Sequence, residues 1–341
     1  MPGMQPKPNH PENNVYDVTI IGAGPTGLFG AFYAGMREMS CKIIEALPEV
    51  GGQLAVLYPE KWIYDAPGYP KILAKDLVRN LWEQASRWNP TLCLDERVTM
   101  LRVGEDSPMV LETDKGVHYT RTVIICAGVG AFSPNKLKNE TVERFEGRGV
   151  YYFVKDKSPF RGKRLLIVGG GDSAVDWALN LKDYAREITL IHRRDQFRAH
   201  PASVTELMSS SVNVMLYHEL KEIRGDDHIE GVVVFDNRTG AETSLNVDYV
   251  LLNLGFKADL GPIKEWGLEQ QAKRYIKVNC RQETSIPGVY AAGDVAAHPD
   301  VEPLNLIAIG YAQAAVAVNY AYTYLHPEAK VFPGHSSEMR L

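Results

Sequence analysis

One repeat constrains this chain more than any other feature. A β-branched apolar run, a glycine-rich turn and a helical pattern occur together twice, in "YDVTIIGAGPTGLFGAFYA" at 16–34 and "KRLLIVGGGDSAVDWALNL" at 163–181. Gly22, Gly24 and Gly27 make GxGxxG, with Thr26 in the same turn. Gly169, Gly171 and Ala174 make GxGxxA, with Asp172 and Ser173 opening the helix. Glycine at these positions permits a tight turn and the close approach of a pyrophosphate. The following helix offers free N–H groups and the positive end of its dipole. A single such turn can exist simply to reverse a chain. Two copies, each between a strand and a helix, point to two βαβ dinucleotide sites.

Spacing separates the two sites chemically. The second strand of each unit ends 23 residues after its first motif glycine, at Glu45 in "KIIEALPE" and at His192 in "LIHRRDQF". A carboxylate there accepts hydrogen bonds from ribose hydroxyls and repels a 2′-phosphate. Arg193 and Arg194 supply the guanidinium forks that a 2′-phosphate prefers. The first site therefore suits an unphosphorylated adenosine and the second suits NADP(H). Three further stretches make the first cofactor FAD. "EVGGQLAVLYPE" brings Gly52 and Gln53 into a loop fitted to a long cofactor, and "TVIICAGVGAF" is a buried strand ending in a glycine turn. "SIPGVYAAGDVA" ends in Gly293 and Asp294, a carboxylate suited to ribityl hydroxyls. A helix from about Leu306 then points its N-terminus at the flavin N1/C2=O edge.

Length and order complete the expected architecture. A chain of 341 residues exceeds one compact core. The expected fold is α/β, with two Rossmann-like, three-layer ββα dinucleotide-binding domains and the NADP(H) domain inserted into the FAD domain. The expected segments are a loose polar tail at 1–14, FAD domain at 15–130 and 286–326, NADP(H) domain at 131–285, and a C-terminal extension at 327–341. A net charge of −5 argues against non-specific nucleic-acid binding. Cys41, Cys93, Cys126 and Cys280 form no CxxC, which removes a dithiol and a Cys-rich metal site; Cys126 reads as a small buried apolar residue. The apolar stretch 304–322 is interrupted by Asn305, Gln313 and Asn319, as in a buried helix and not a membrane span. With no apolar leader at the start, a cytoplasmic protein is expected.

GAGPTG, GGQL, GGGDSAVDWA, HRRDQFRA and GVYAAGD together resemble the two-dinucleotide-domain flavoproteins that include thioredoxin reductase, over nearly the whole chain. Thioredoxin reductases carry a redox-active CxxC just before the second nucleotide fold, where this chain has "VYYFVKDKSPF". "GGQLAVLYPEKWIYDAPGYP", the missing CxxC and the segment "HPEAKVFPGHSSEMRL" resemble instead the thioredoxin-reductase-like ferredoxin–NADP⁺ reductases. The resemblance implies a homodimer in which NADPH passes hydride to FAD, and FAD passes single electrons to ferredoxin or flavodoxin. It implies FAD adenine and ribose at Glu45 and Val98, and pyrophosphate and ribityl at Gln53 and Asp294. It further implies flavin contacts at Tyr58, Phe132, His335 and Ser337, with Tyr58 and His335 stacked on opposite faces. By residue type alone, Tyr58 is equally an ordinary core tyrosine and His335 a surface histidine.

No catalytic side chain is assigned, because the flavin does the chemistry. A ring of His335 over one flavin face must move before nicotinamide can stack there. An acidic ferredoxin needs a local basic surface, and 135–164 holds nine Lys and Arg against four acids. The competing readings are an NADPH oxidase or quinone/diaphorase-type reductase, and a non-catalytic NADP(H) sensor. A sensor has no use for a flavin site beside its nucleotide site. Neutralising Arg193 and Arg194 together is expected to raise KM for NADPH about 10- to 100-fold per lost contact, at ~1.4 kcal/mol per decade, and to leave KM for NADH nearly unchanged. Equal loss of both nucleotides would show that the arginines serve the fold alone.

Overall fold

In a computed structural model of the protein the described residues are 15–104 and 108–338, without the side chains of 131–133 and 257–258. The expected loose tail at 1–14 lies outside the described residues. The chain divides into two units. One comprises the described residues up to Ala55, Trp62–Ala131 and those from Ala258, and the other comprises Val56–Lys61 and Phe132–Lys257.

In the first unit, β-branched runs build the centre of a seven-stranded sheet. Its spatial order is Thr91–Cys93, Cys41–Ile44, Val15–Ile21, Val117–Ile125, Met109–Thr113, Val98–Arg102. Val289–Ala291 pairs with the later half of Val117–Ile125. Core strands are parallel, and Val98–Arg102, Met109–Thr113 and the first half of Val117–Ile125 form an antiparallel meander. Helix Pro25–Met36 packs against Ala74–Ser86 and Ile307–Leu325. The small residues Gly30 and Ala314 allow the first and last of these to approach closely. Leu260, Trp266, Ile276 and Val278 share a core with Ile21, Val98 and Ile125. Residues 258–285, read from the sequence as part of the inserted domain, therefore belong to this unit because their apolar side chains are buried in its core.

The second unit is three-layered. Alternation along Arg164–Val168 sends Leu165 and Ile167 to one face and Leu166 and Val168 to the other. The all-parallel sheet runs Val150–Tyr151, Tyr249–Leu252, Arg164–Val168, Glu187–His192, Asn213–Leu216. Helices Asp172–Leu181 and Pro201–Met208 cover the first face with Trp177, Ala178 and Leu207. An antiparallel sheet of His218–Arg224, Gly231–Asp236 and Glu242–Leu245 covers the other with Val232 and Val234. Among the described residues no helix is long and apolar enough to cross a membrane.

Trp177 is 1% exposed at the centre of the helical layer. Trp177→Ala is expected to cost about 3–5 kcal/mol in urea unfolding of the second unit. A loss below about 1 kcal/mol would mean that this helix is not held by its core face.

Candidate functional site

Both glycine-rich turns divide their glycines between two jobs. A Cβ on Gly27 would meet the Gly22 carbonyl oxygen at 1.9 Å, and one on Gly22 would meet the Cys126 carbonyl oxygen at 2.4 Å. In the second unit a Cβ on Gly169 would lie 2.4 Å from the Asn253 carbonyl oxygen. These glycines let helix, strand and neighbouring strand close on one another. Gly24 and Gly171 differ: a Cβ on either would meet nothing within 4 Å, and neither backbone has positive φ. Protein packing gives no reason for glycine there, whereas a ligand lying against the backbone does. Both are N-caps without a side-chain cap, so the first-turn N–H groups point out unsatisfied by a side chain.

Glu45 follows the second strand and is 7% exposed. Its carboxylate accepts from the Ala23 N–H at 2.6 Å and the Leu47 N–H at 2.9 Å, which ties it to the glycine turn. Burial pushes its pKa up, against those backbone donors. Its own backbone is clamped, with its N–H on the Cys93 carbonyl and its carbonyl on the Glu96 N–H. Beneath it Cys93, Glu96 and His118 bring ligand atoms within 4.8 Å of one another. Lys42 Nζ, 2.9 Å from His118 Nδ1, already puts a cation there, and His118 Nε2 lies 2.7 Å from Glu96 Oε1. The cluster is a hydrogen-bonded support for the Glu45 strand end.

Gln53 Nε2 donates to Asp294 at 3.3 Å, and a Cβ on Gly128 would touch the same amide nitrogen at 3.3 Å. Burial raises the Asp294 pKa, opposed by the Gln53 hydrogen bond. Gly52 lies on Gly24, so that a Cβ on Gly52 would come within 3.1 Å of the Gly24 Cα. Thr26 fills the space that side chains at Gly293 and Gly310 would need. Sequence reasoning missed Gln313, whose Oε1 accepts from the Gly293 N–H at 2.7 Å and so fixes the Gly293–Asp294 turn. Its helical position gave no local signal. Helix Ile307–Leu325 begins as expected and lacks a side-chain cap.

In the second unit the His192 ring lies under Gly170, where a Cβ would come within 2.2 Å of it. It stacks on Phe197 at 5.2 Å, with Nε2 3.0 Å from the Gln196 carbonyl oxygen. Burial lowers its pKa, and the arginines at 193, 194 and 198 push the same way. A neutral ring thus carries an arginine loop. Arg193 and Arg194 are exposed, and their guanidinium groups pair with no described residue. Arg198, in the quoted motif but unassigned from sequence, donates its N–H to the Gly170 carbonyl at 2.7 Å. Asp172 accepts from the His200 N–H at 2.8 Å, tying the loop to the helix start.

Five more residues are expected at FAD, Val98 beside the adenosine and Tyr58, Phe132, His335 and Ser337 at the flavin. Tyr58 packs against the core around Trp177 in the second unit, with Lys61 Nζ 5.8 Å from its ring. Val98 is a buried core residue. The Phe132 side chain lies outside the described residues. His335 and Ser337 are exposed; His335 meets Phe332 edge-on at 5.2 Å, and no hydrogen bond or ring contact joins either residue to Asp294 among the described residues. In 135–164, Lys136, Arg144, Lys157 and Arg164 are ion-paired, three of them to Asp226, Glu60 and Asp248 outside the stretch. The free positive charge is therefore smaller than the count along the chain. Of the cysteines, Cys41 and Cys126 are buried and Cys280 is exposed; burial pushes Cys41 up to about 12 and raises Cys93 and Cys126.

Residues 16–321 match the family described as pyridine nucleotide-disulphide oxidoreductase. A ferredoxin–NADP reductase of Symbiobacterium thermophilum is 53% identical over 330 residues, covering 96% of this chain and 98% of its own. One of Thermus thermophilus is 52% identical over 326 residues, covering 94% and 96%. Among solved structures, the thioredoxin reductase of T. acidophilum superposes with a TM-score of 0.77 at 26% identity, over 91% of this chain and 99% of its own. That of Lactococcus lactis gives 0.75 at 28% identity, over 92% and 99%.

The division of labour among the glycines is testable. Gly24→Ala is expected to leave the thermal midpoint within a few degrees of the parent while the purified protein loses most of its flavin absorbance. Gly27→Ala should destabilise the fold outright by several kcal/mol, because backbone must move. Flavin retained at the parent level in Gly24→Ala would show that no ligand lies on that turn.

Proposed function

The chain belongs to the pyridine nucleotide-disulphide oxidoreductase family, and from that premise we propose that it is a ferredoxin–NADP⁺ oxidoreductase using FAD and NADP(H). One contrast carries the reading. Equivalent glycine-rich turns end their second strands in a buried carboxylate in one unit and in two unpaired guanidinium groups in the other. FAD supplies the chemistry, since it accepts a hydride and releases electrons singly. The protein's residues bind, orient and exclude water. A redox-active dithiol is unsupported here: the four cysteines form no CxxC, Cys41 and Cys126 are buried, and burial also raises the Cys93 pKa.

In the first unit Gly22, Gly24, Thr26 and Gly27 form the pyrophosphate turn. Glu45 receives the adenosine ribose on lone pairs left free by Ala23 and Leu47, and Val98 lends apolar surface. Gly52, Gln53 and Asp294 hold the middle of the cofactor, with the Gln53–Asp294 bond orienting the carboxylate toward hydroxyl donors. Tyr58, Phe132, His335 and Ser337 meet the flavin. In the second unit Gly169, Gly171, Asp172 and Ser173 form the phosphate turn, and Arg193 and Arg194, joined by Arg198, bind the 2′-phosphate. The exposure of His335 and Ser337 supports a homodimer in which this segment reaches the partner's flavin. Ferredoxin or flavodoxin docks at 135–164, through cations such as Lys138 that form no ion pair with a described carboxylate. The enzyme acts in the cytoplasm.

Stopped-flow mixing of the FAD-loaded protein with NADPH is expected to bleach one flavin per chain. Reoxidation should then run at a higher kcat/KM with ferredoxin or flavodoxin than with quinone or oxygen. Failure to bleach overturns the reading, and preference for quinone or oxygen replaces it with a diaphorase or oxidase.

A further inference from the structure

Arg37, just past helix Pro25–Met36, is a buried cation in an unusual setting. It is 8% exposed, and no described carboxylate pairs with it. Its Nη2 donates to the Lys330 carbonyl at 2.9 Å and its Nη1 to the Val331 carbonyl at 3.3 Å. The guanidinium carbon lies 3.8 Å from the Tyr322 ring centroid, while Nε is buried without a partner. Carbonyl dipoles and a π face repay the desolvation of a guanidinium only in part. A cation kept at such cost is holding something in place, and what it holds is the chain after helix Ile307–Leu325. Beyond His326 this segment has little of its own to hold it: Val331 and Phe332 are 40% and 63% exposed, and among its described residues the one element is the short turn Ser336–Glu338.

We propose that Arg37 is a positioning residue for the flavin-facing end of the chain, anchoring it at Lys330–Val331. The inference rests on the reading that His335 and Ser337 cover a flavin. Anchored at Val331, His335 is four residues away and can roam at most about 14 Å; freed back to His326 it could roam about 31 Å. The accessible volume shrinks about tenfold, and the effective concentration of the ring at its flavin rises by the same factor. The anchor lies in the chain's own unit whichever subunit's flavin the segment reaches.

The test uses the FAD-loaded full chain, its Arg37→Leu variant, and a chain truncated after Glu328. Limited proteolysis read by mass spectrometry is expected to cut within 327–338 about tenfold faster in Arg37→Leu than in the parent. Its visible flavin spectrum should shift toward that of the truncated protein, and adding Arg37→Leu to the truncated chain should change nothing more. Arg37→Lys, which keeps the charge and loses the fork, should fall between. Unchanged proteolysis, or faster proteolysis with an unchanged spectrum, overturns the proposal while leaving the flavin-covering segment standing if truncation alters the spectrum. A truncated protein with the parent spectrum overturns the covering reading itself, and this inference with it. Should Arg37→Leu fail to fold, Tyr322→Leu removes the π face from the same anchor and is read in the same way.

Discussion

Backbone touching backbone at the two glycine turns is the contact on which the rest depends. At Gly27 and Gly22, and again at Gly169, there is no room for a methyl group between helix, turn and neighbouring strand. That closeness sets where the helix begins, and hence where its free N–H groups and dipole end point. The open space at Gly24 and Gly171 is its counterpart, since the same tight turn presents bare backbone outward. Strand ends, carboxylate and arginine loop are all placed relative to these two turns.

Having built one geometry twice, the protein differentiates the copies electrostatically. Glu45 is drawn into the first turn by the Ala23 N–H and is backed by the hydrogen-bonded chain of Lys42, His118 and Glu96. In the second copy a neutral, buried His192 takes the equivalent place and props the loop whose arginines stay exposed. A buried acid with backbone donors favours neutral hydroxyl partners, and unpaired guanidinium groups favour a phosphate. On the proposed reading, the electrostatic reversal separates two cofactors that share an adenosine diphosphate, one of which adds a 2′-phosphate to its ribose.

Much of this was legible in the sequence because it is local. Glycine spacing, strand alternation and the acid or base 23 residues on are properties of short segments, and the dinucleotide folds follow from them. Apolar alternation in "RLLIV" even marks the two faces that become separate cores. Tertiary structure decided what no short window contains. Residues 258–285 joined the first unit because Leu260, Trp266 and Ile276 found their core there, and Tyr58 joined the second because its ring packs near Trp177. Carboxylates at 60, 226 and 248 came from afar to neutralise part of a basic stretch. Gln313 reached the Gly293 turn from the middle of a helix, and Arg37 met carbonyls nearly three hundred residues later. Turn chemistry and periodicity act over a few residues, whereas these pairings depend on which buried surfaces meet once the sheets have formed.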